Sequence, residues 1–159
     1  MALRKVTKGT PLSSYVKKGK RALKGEHRDR VSTSRGSSLI DSVNLEEALS
    51  RLVPDVPQWD YALGWISTEC ESCCFVEVHP ANTRQVDQVV RKKASAETRL
   101  RELAPTVMEL ADRTRRRLEK PIWHWIATDA HVGIHPGTPA SRKLSQAGIA
   151  MPARHLELR

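Results

Sequence analysis

Trp59-Asp60-Tyr61-Ala62-Leu63-Gly64-Trp65 and Phe75-Val76-Glu77-Val78-His79 decide the fold of this 159-residue chain. Both stretches alternate at the strand period, which sends successive side chains to opposite faces. In the first, Trp59, Tyr61, Leu63 and Trp65 share one face, and Asp60, Ala62 and Gly64 share the other. In the second, Phe75, Glu77 and His79 share a face opposite Val76 and Val78. The turn between the strands falls within Ser67 to Ser72. Small residues line the face that carries Asp60, which predicts a cleft beside it. Asp60 joins Glu77 and His79 only if it lies opposite Glu77 or His79 rather than Val78, because a one-residue slip turns every side chain over.

Working outward, Pro80 stops the second strand, and Asn82 or Thr83 caps a helix. Val86, Val89, Val90, Lys93, Ala94, Glu97 and Leu100 or Leu103 trace its stripe. Pro105 breaks or restarts that helix, which continues to about Leu118. Pro121 introduces an aromatic strand, Ile122 to Ala127. A loop over 129–139 precedes a short helix over 140–147 that ends at Gly148. A last strand is predicted over 153–158. Upstream, Asn44 caps a helix with Glu46 and Glu47 in its first turn, where the dipole favours carboxylates. Pro54 and Pro57 end it. Strands alternating with helices predict an α/β fold with a mixed central sheet flanked by helices.

Composition narrows the class. No apolar run approaches the roughly 20 residues that span a bilayer, and no apolar signal core follows the basic N-terminus. No membrane association is expected, and the cytoplasm is the expected location. The three cysteines fall in one short cluster, which does not suggest a disulfide framework. The net charge is +9, and residues 1–36 carry all of the excess, with 11 Lys/Arg against 2 acidic residues. Residues 1–38 therefore read as a basic arm, disordered or partly helical, ahead of a single domain over 39–159. Ser13 or Ser14 opens an ambiguous helix that orders on a protein partner through 13–31, and residues 32–38 read as a linker. The arm is either an electrostatic footprint for nucleic acid or a solvated tail.

Divalent-metal hydrolysis of a phosphodiester needs hard oxygen ligands close together and a donor that offsets developing charge. Asp60 on one strand and Glu77-x-His79 on the next, with a helix after them, resemble the core of the PD-(D/E)XK nuclease superfamily. The resemblance covers about residues 39–158 in element order as well as motif. It implies a restriction-endonuclease-like fold and a Mg²⁺- or Mn²⁺-dependent phosphodiesterase with Asp60, Glu77 and His79 as catalytic residues. The metal would be held by Asp60, Glu77 and the Val78 carbonyl, with Glu46 or Glu47 as the helix carboxylate. Gln85 and Arg84 would open the helix near the scissile phosphate. Lys17, Lys18, Lys20, Arg21, Lys24, Arg84 and Arg91 would contact nucleic acid, with DNA placed ahead of RNA.

One departure stands out. His79 occupies the position of the motif lysine and is no permanent cation. Arg84, Arg91 or Lys92 would compensate, or the site is retired and the chain is a non-catalytic nucleic-acid-binding or protein-interaction module. The plain alternative is that Asp60 caps a turn, while Glu77 and His79 are a solvated strand face.

Other motifs carry less. Cys70-x-x-Cys73-Cys74 lacks the second ligand pair that zinc requires and reads as small apolar residues. In Trp123-His124-Trp125 the tryptophans read as core ahead of a base-stacking platform. His124, on the opposite face, reads as a satisfied core histidine. Arg113 to Arg117 read as a solvated helix end or a second phosphate-gripping patch.

Overall fold

Short elements precede long ones along this chain, and the computed structural model describes residues 2–68 and 70–159. In order they are α1 (Ala2–Val6), β1 (Val16–Lys18), α2 (Gly25–Arg28), β2 (Val31–Thr33), β3 (Ser37–Asn44), α3 (Leu45–Leu52) and β4 (Tyr61–Ser67). Then come β5 (Cys70–His79), α4 (Val86–Leu103), α5 (Pro105–Leu118), β6 (Trp123–Ala127), α6 (Pro139–Gln146) and β7 (Leu156–Leu158). The central sheet has the order β1-β3-β4-β5-β6, and β2 pairs with β7 in a separate two-stranded ribbon. The first three pairings of the central sheet are antiparallel, and β5 with β6 is parallel. The sheet is mixed, and the one parallel step is bridged by α4 and α5, since parallel neighbours need a long crossover.

Local chemistry sets the ends of these elements. The Asn44 side chain accepts from the Glu47 N–H at 2.9 Å and starts α3. Pro105 occupies the first turn of α5, where its missing N–H leaves no bond unmade. Helix α4 buries Val86, Val89, Ala96 and Leu100 along one side. One sheet face carries Phe75, Glu77, Trp123 and Trp125, in register across β5 and β6. The other carries Tyr61, Leu63 and Trp65 opposite Val76, Cys74 and Ser72.

The N-terminal segment is not an arm. Leu3, Leu12, Val16, Leu23 and Val31 are all buried in the core, and β1 extends the central sheet beside β3. The expected domain start at residue 39 falls inside β3, and residues 32–38, read as a linker, supply parts of β2 and β3. The predicted partner-dependent helix over 13–31 is replaced by a single turn at Ser13–Tyr15, β1 and α2. That stretch is already folded onto its own domain through Val16, Leu23 and Val31, without a partner. The large buried apolar side chains Leu3, Leu12, Val16, Leu23 and Val31 are spaced four to nine residues apart, so no periodic stripe marks the segment.

Much of the basic charge there works as clips. The Lys20 ammonium donates to the carbonyls of Arg28 and Val31. Arg28 Nε donates to the Leu23 carbonyl and Arg30 Nη1 to the Ala127 carbonyl, both at 3.0 Å.

The expected cleft beside the small-residue face is filled. Helix α1 lies on it, and the Leu3 and Arg4 N–H groups donate to the two oxygens of buried Asp41 at 3.0 Å each. A Cβ at Gly64 would stand 2.2 Å from Asp41 Oδ1 and 2.8 Å from Ala2 Cβ. Gly64 is therefore glycine because α1 passes over it. Cys73 and Cys74 are buried within β5 and Cys70 is exposed at its start; all three are free thiols.

Candidate active site at the open end of the central strands

Register answers the question left by the sequence. Tyr61 lies opposite Val76, so the preceding residue, Asp60, falls beside Glu77. Pairing of β4 with β5 stops there, and the carboxylates take over from the backbone ladder. Asp60 Oδ2 accepts the Val78 N–H at 2.9 Å, and Glu77 Oε2 accepts the Asp60 N–H at 3.2 Å. The N–H and C=O of one strand residue point to the same edge. The Val78 carbonyl therefore faces the side on which Asp60 sits. The Asp60 carbonyl in turn receives the Leu45 N–H at 2.8 Å, which fixes the start of α3 against the site.

His79 is here too. Its Nε2 lies 3.3 Å from Glu77 Oε1 and its Nδ1 lies 2.8 Å from the Pro80 carbonyl. The imidazole rests against Trp125, ring centroids 4.9 Å apart. The Trp125 indole N–H donates to the His79 carbonyl at 3.2 Å.

The cation missing from position 79 arrives from the helix. The Lys92 ammonium pairs with Glu77 Oε1. Of the three basic residues considered as replacements, Lys92 alone reaches the carboxylates; Arg84 and Arg91 are exposed. Lys92 follows Val89 by three residues and precedes Ala96 by four, so it projects from the side of α4 that faces the sheet. The sequence stripe passes through Lys93, which instead lies over the Trp123 ring at 5.3 Å and pairs with Glu97.

Electrostatics follow from burial. Glu77 is 1% exposed. Desolvation first, then the Asp60 charge, pushes its carboxyl up to about 7, against the opposing pull of Lys92. Burial also raises Asp60 and lowers His79. A second histidine, which the sequence pattern does not single out, enters from the N-terminal segment. His27 Nδ1 lies 2.8 Å from the Tyr61 hydroxyl, and the Asp60 charge acts on the ring. Nothing in the sequence links residue 27 to residue 60; only the docking of the segment does so.

The remaining expected residues spread out. Glu46 is exposed and pairs with Lys24 at 3.7 Å, though its charge is felt at Asp60. Glu47 pairs with Arg51 at 3.5 Å. Lys17 and Arg21 line a cavity of about 370 Å³ with Tyr15, Asn44, Glu47 and Arg51. Arg51 stands 6.0 Å above the Tyr15 ring. Lys18 lines a different recess with Arg4, Ile40 and Asp41. Lys20 donates to the backbone carbonyls of Arg28 and Val31. Arg84 opens the helical turn before α4, its N–H held by the Asn82 side chain at 3.1 Å.

Mg²⁺ is commonly held by one or two carboxylates, with water and substrate phosphate completing an octahedron. Among the described residues, no group of three or more His, Cys, Asp and Glu side chains is placed to hold a metal. Asp60, Glu77 and the Val78 carbonyl meet the minimum for Mg²⁺ and fall short of a closed protein cage. No family model matches this chain, and neither a curated protein nor a solved structure matches it.

Proposed function

We propose that the chain is a metal-dependent nuclease-like protein of the PD-(D/E)XK type, with Asp60, Glu77 and Lys92 as its working side chains. The observation that carries this reading is the meeting of Lys92, from α4, with the Asp60–Glu77 pair at the unpaired end of β4 and β5. An ammonium in a different place in the sequence takes the spatial role that the motif lysine has in the resembling family.

Asp60, Glu77 and the Val78 carbonyl would hold Mg²⁺ or Mn²⁺, which when bound polarises a phosphoryl oxygen and acidifies a water. Lys92 supplies a fixed positive charge where negative charge develops on phosphate. In neutral His79 the Nδ1–H donates to the Pro80 carbonyl, so Nε2 faces Glu77 Oε1 as an acceptor and bonds that group in its protonated form. The cavity of Tyr15, Lys17, Arg21 and Arg51 adjoins the site through Asn44 and Leu45, and offers cations and one aromatic ring to an approaching nucleic-acid strand.

A second reading has its own support. Both Glu77 oxygens are already engaged within the protein, and a carboxyl raised to about 7 is a reluctant metal ligand. On that reading the fold binds nucleic acid without cleaving it. The test is cleavage of labelled single- and double-stranded DNA and RNA with Mg²⁺ or Mn²⁺ by the wild type and Glu77→Ala. Cleavage lost in the variant supports the enzyme. No cleavage by either, with equal affinity for nucleic acid, supports the binding module.

A further inference from the structure

The reverse face of the sheet holds a site that the nuclease-like reading does not use. His124 lies opposite Val76 in the parallel pairing of β6 with β5, so it points away from Glu77. Its expected role as a satisfied core histidine does not hold. No hydrogen bond or ion pair reaches its ring nitrogens among the described residues. Desolvation alone acts on it and lowers its pKa to about 4, leaving a neutral imidazole with one donor and one acceptor. The ring is half-buried, and its nitrogens find no protein partner among the described residues.

The ring opens onto a cavity of about 350 Å³, at the small end of the range for ligand pockets, about 300–1,000 Å³. Trp65, Cys74, Leu118, Ile122 and Leu158 give it apolar walls. The Trp65 indole N–H is already bonded to the Arg159 carbonyl at 3.0 Å, so the ring contributes apolar surface. Lys120 and Pro121 line this cavity and also a second one, of about 410 Å³, with Arg115, Arg116, Glu119 and Gly148. Three cations face one carboxylate there. A chamber lined by apolar side chains together with His124, Lys120, Glu157 and Arg159 thus shares Lys120 and Pro121 with a cationic recess.

We propose that these joined cavities bind a phosphorylated aromatic heterocycle of the mononucleotide class. The ring enters the apolar chamber with its polar edge on His124, and the phosphate rests on Arg115, Arg116 and Lys120. Neutral imidazole suits this role, because it gives or takes one hydrogen bond at that edge without placing a charge in the chamber. Arginine beside lysine suits a phosphate. The proposal stands independently of the Asp60 site, which lies on the other face.

Calorimetric titration of the full chain with AMP, GMP, CMP, UMP, adenosine and inorganic phosphate tests it, on the wild type, His124→Leu, Arg116→Glu and Glu77→Gln. At least one mononucleotide is expected to bind the wild type saturably below about 1 mM. His124→Leu and Arg116→Glu should each weaken it at least about 10-fold, and Glu77→Gln should not. Adenosine and phosphate alone should bind at least about 10-fold more weakly than the mononucleotide. Arg116 is exposed, so its replacement leaves the core untouched if His124→Leu fails to fold. Absence of saturable mononucleotide binding overturns the proposal. So does binding that both variants retain, or binding that only Glu77→Gln abolishes.

Discussion

Replacing Glu77 with glutamine should reveal how much stability the protein gives up to keep a carboxylate at the end of β5. In the fold this carboxyl holds its proton up to about 7, against an ordinary 4.5, a difference worth about 3 kcal/mol. A group raised in the folded state contributes stability that is full below the unfolded value and lost as pH rises through the folded one. The loss therefore falls between about 4.5 and 7. His124 acts with the opposite sign. Its value falls from 6.5 to about 4 in the fold, so stability grows by about 3 kcal/mol as pH rises through that interval. The two contributions oppose each other in the wild type, so the Glu77 contribution is read by subtraction.

At pH 4.5 and below, protonated Glu77 and the glutamine that replaces it present the same charge to Asp60, His79 and Lys92. The two proteins should then unfold at nearly the same urea concentration. At pH 8 the variant should be the more stable by up to about 3 kcal/mol, read from urea unfolding followed by tryptophan fluorescence. A variant less stable than wild type at pH 8, or a difference that does not change with pH, would refute the reasoning. It would mean that Lys92 more than offsets the desolvation of the charge.

Two further outcomes follow from the packing. Gly64→Ala forces a methyl into space held by Asp41 and Ala2, so it should displace α1 and destabilise by about 2–4 kcal/mol, in the manner of overpacking with loss of a buried leucine. Thermal unfolding measures this, and faster tryptic cleavage at Arg4 and Lys5 should accompany it. Deleting residues 1–36 removes, besides Ala2, five larger buried apolar side chains, Leu3, Leu12, Val16, Leu23 and Val31. At about 1.5–3 kcal/mol each this is comparable to the whole of a typical margin of stability. The truncated chain should therefore fail to give a cooperative unfolding transition, whereas a dispensable arm would leave that transition intact.

Legibility from sequence follows periodicity. The two central strands, the helix broken at Pro105 and the helix capped by Asn44 all carry long alternating or helical patterns, and each lies where those patterns place it. β1, β2 and the start of β3 are short, serine- or lysine-rich, and paired with distant residues, as Val31 is with Leu156. Their order comes from tertiary pairing, which no local window contains. Asp60, Glu77 and His79 are visible as a group because strand alternation fixes faces, and the structure brings all three together. Lys92 is one of three basic residues that the sequence offers, and only the approach of α4 to β5 selects it. His27 gives no signal at all. Alternation places His124 on the face away from the tryptophans, but its lack of a partner depends on a cavity walled by Leu118 and Leu158, which no local pattern encodes.

The most direct test of the relocated lysine is to move it back. Metal-dependent cleavage should be measured for the wild type, Lys92→Ala, and the double variant Lys92→Ala/His79→Lys. The account predicts cleavage by the wild type, a loss of about 10²-fold or more in Lys92→Ala, and substantial recovery in the double variant. Full activity in Lys92→Ala, or no cleavage by the wild type with either metal on any substrate, would contradict it.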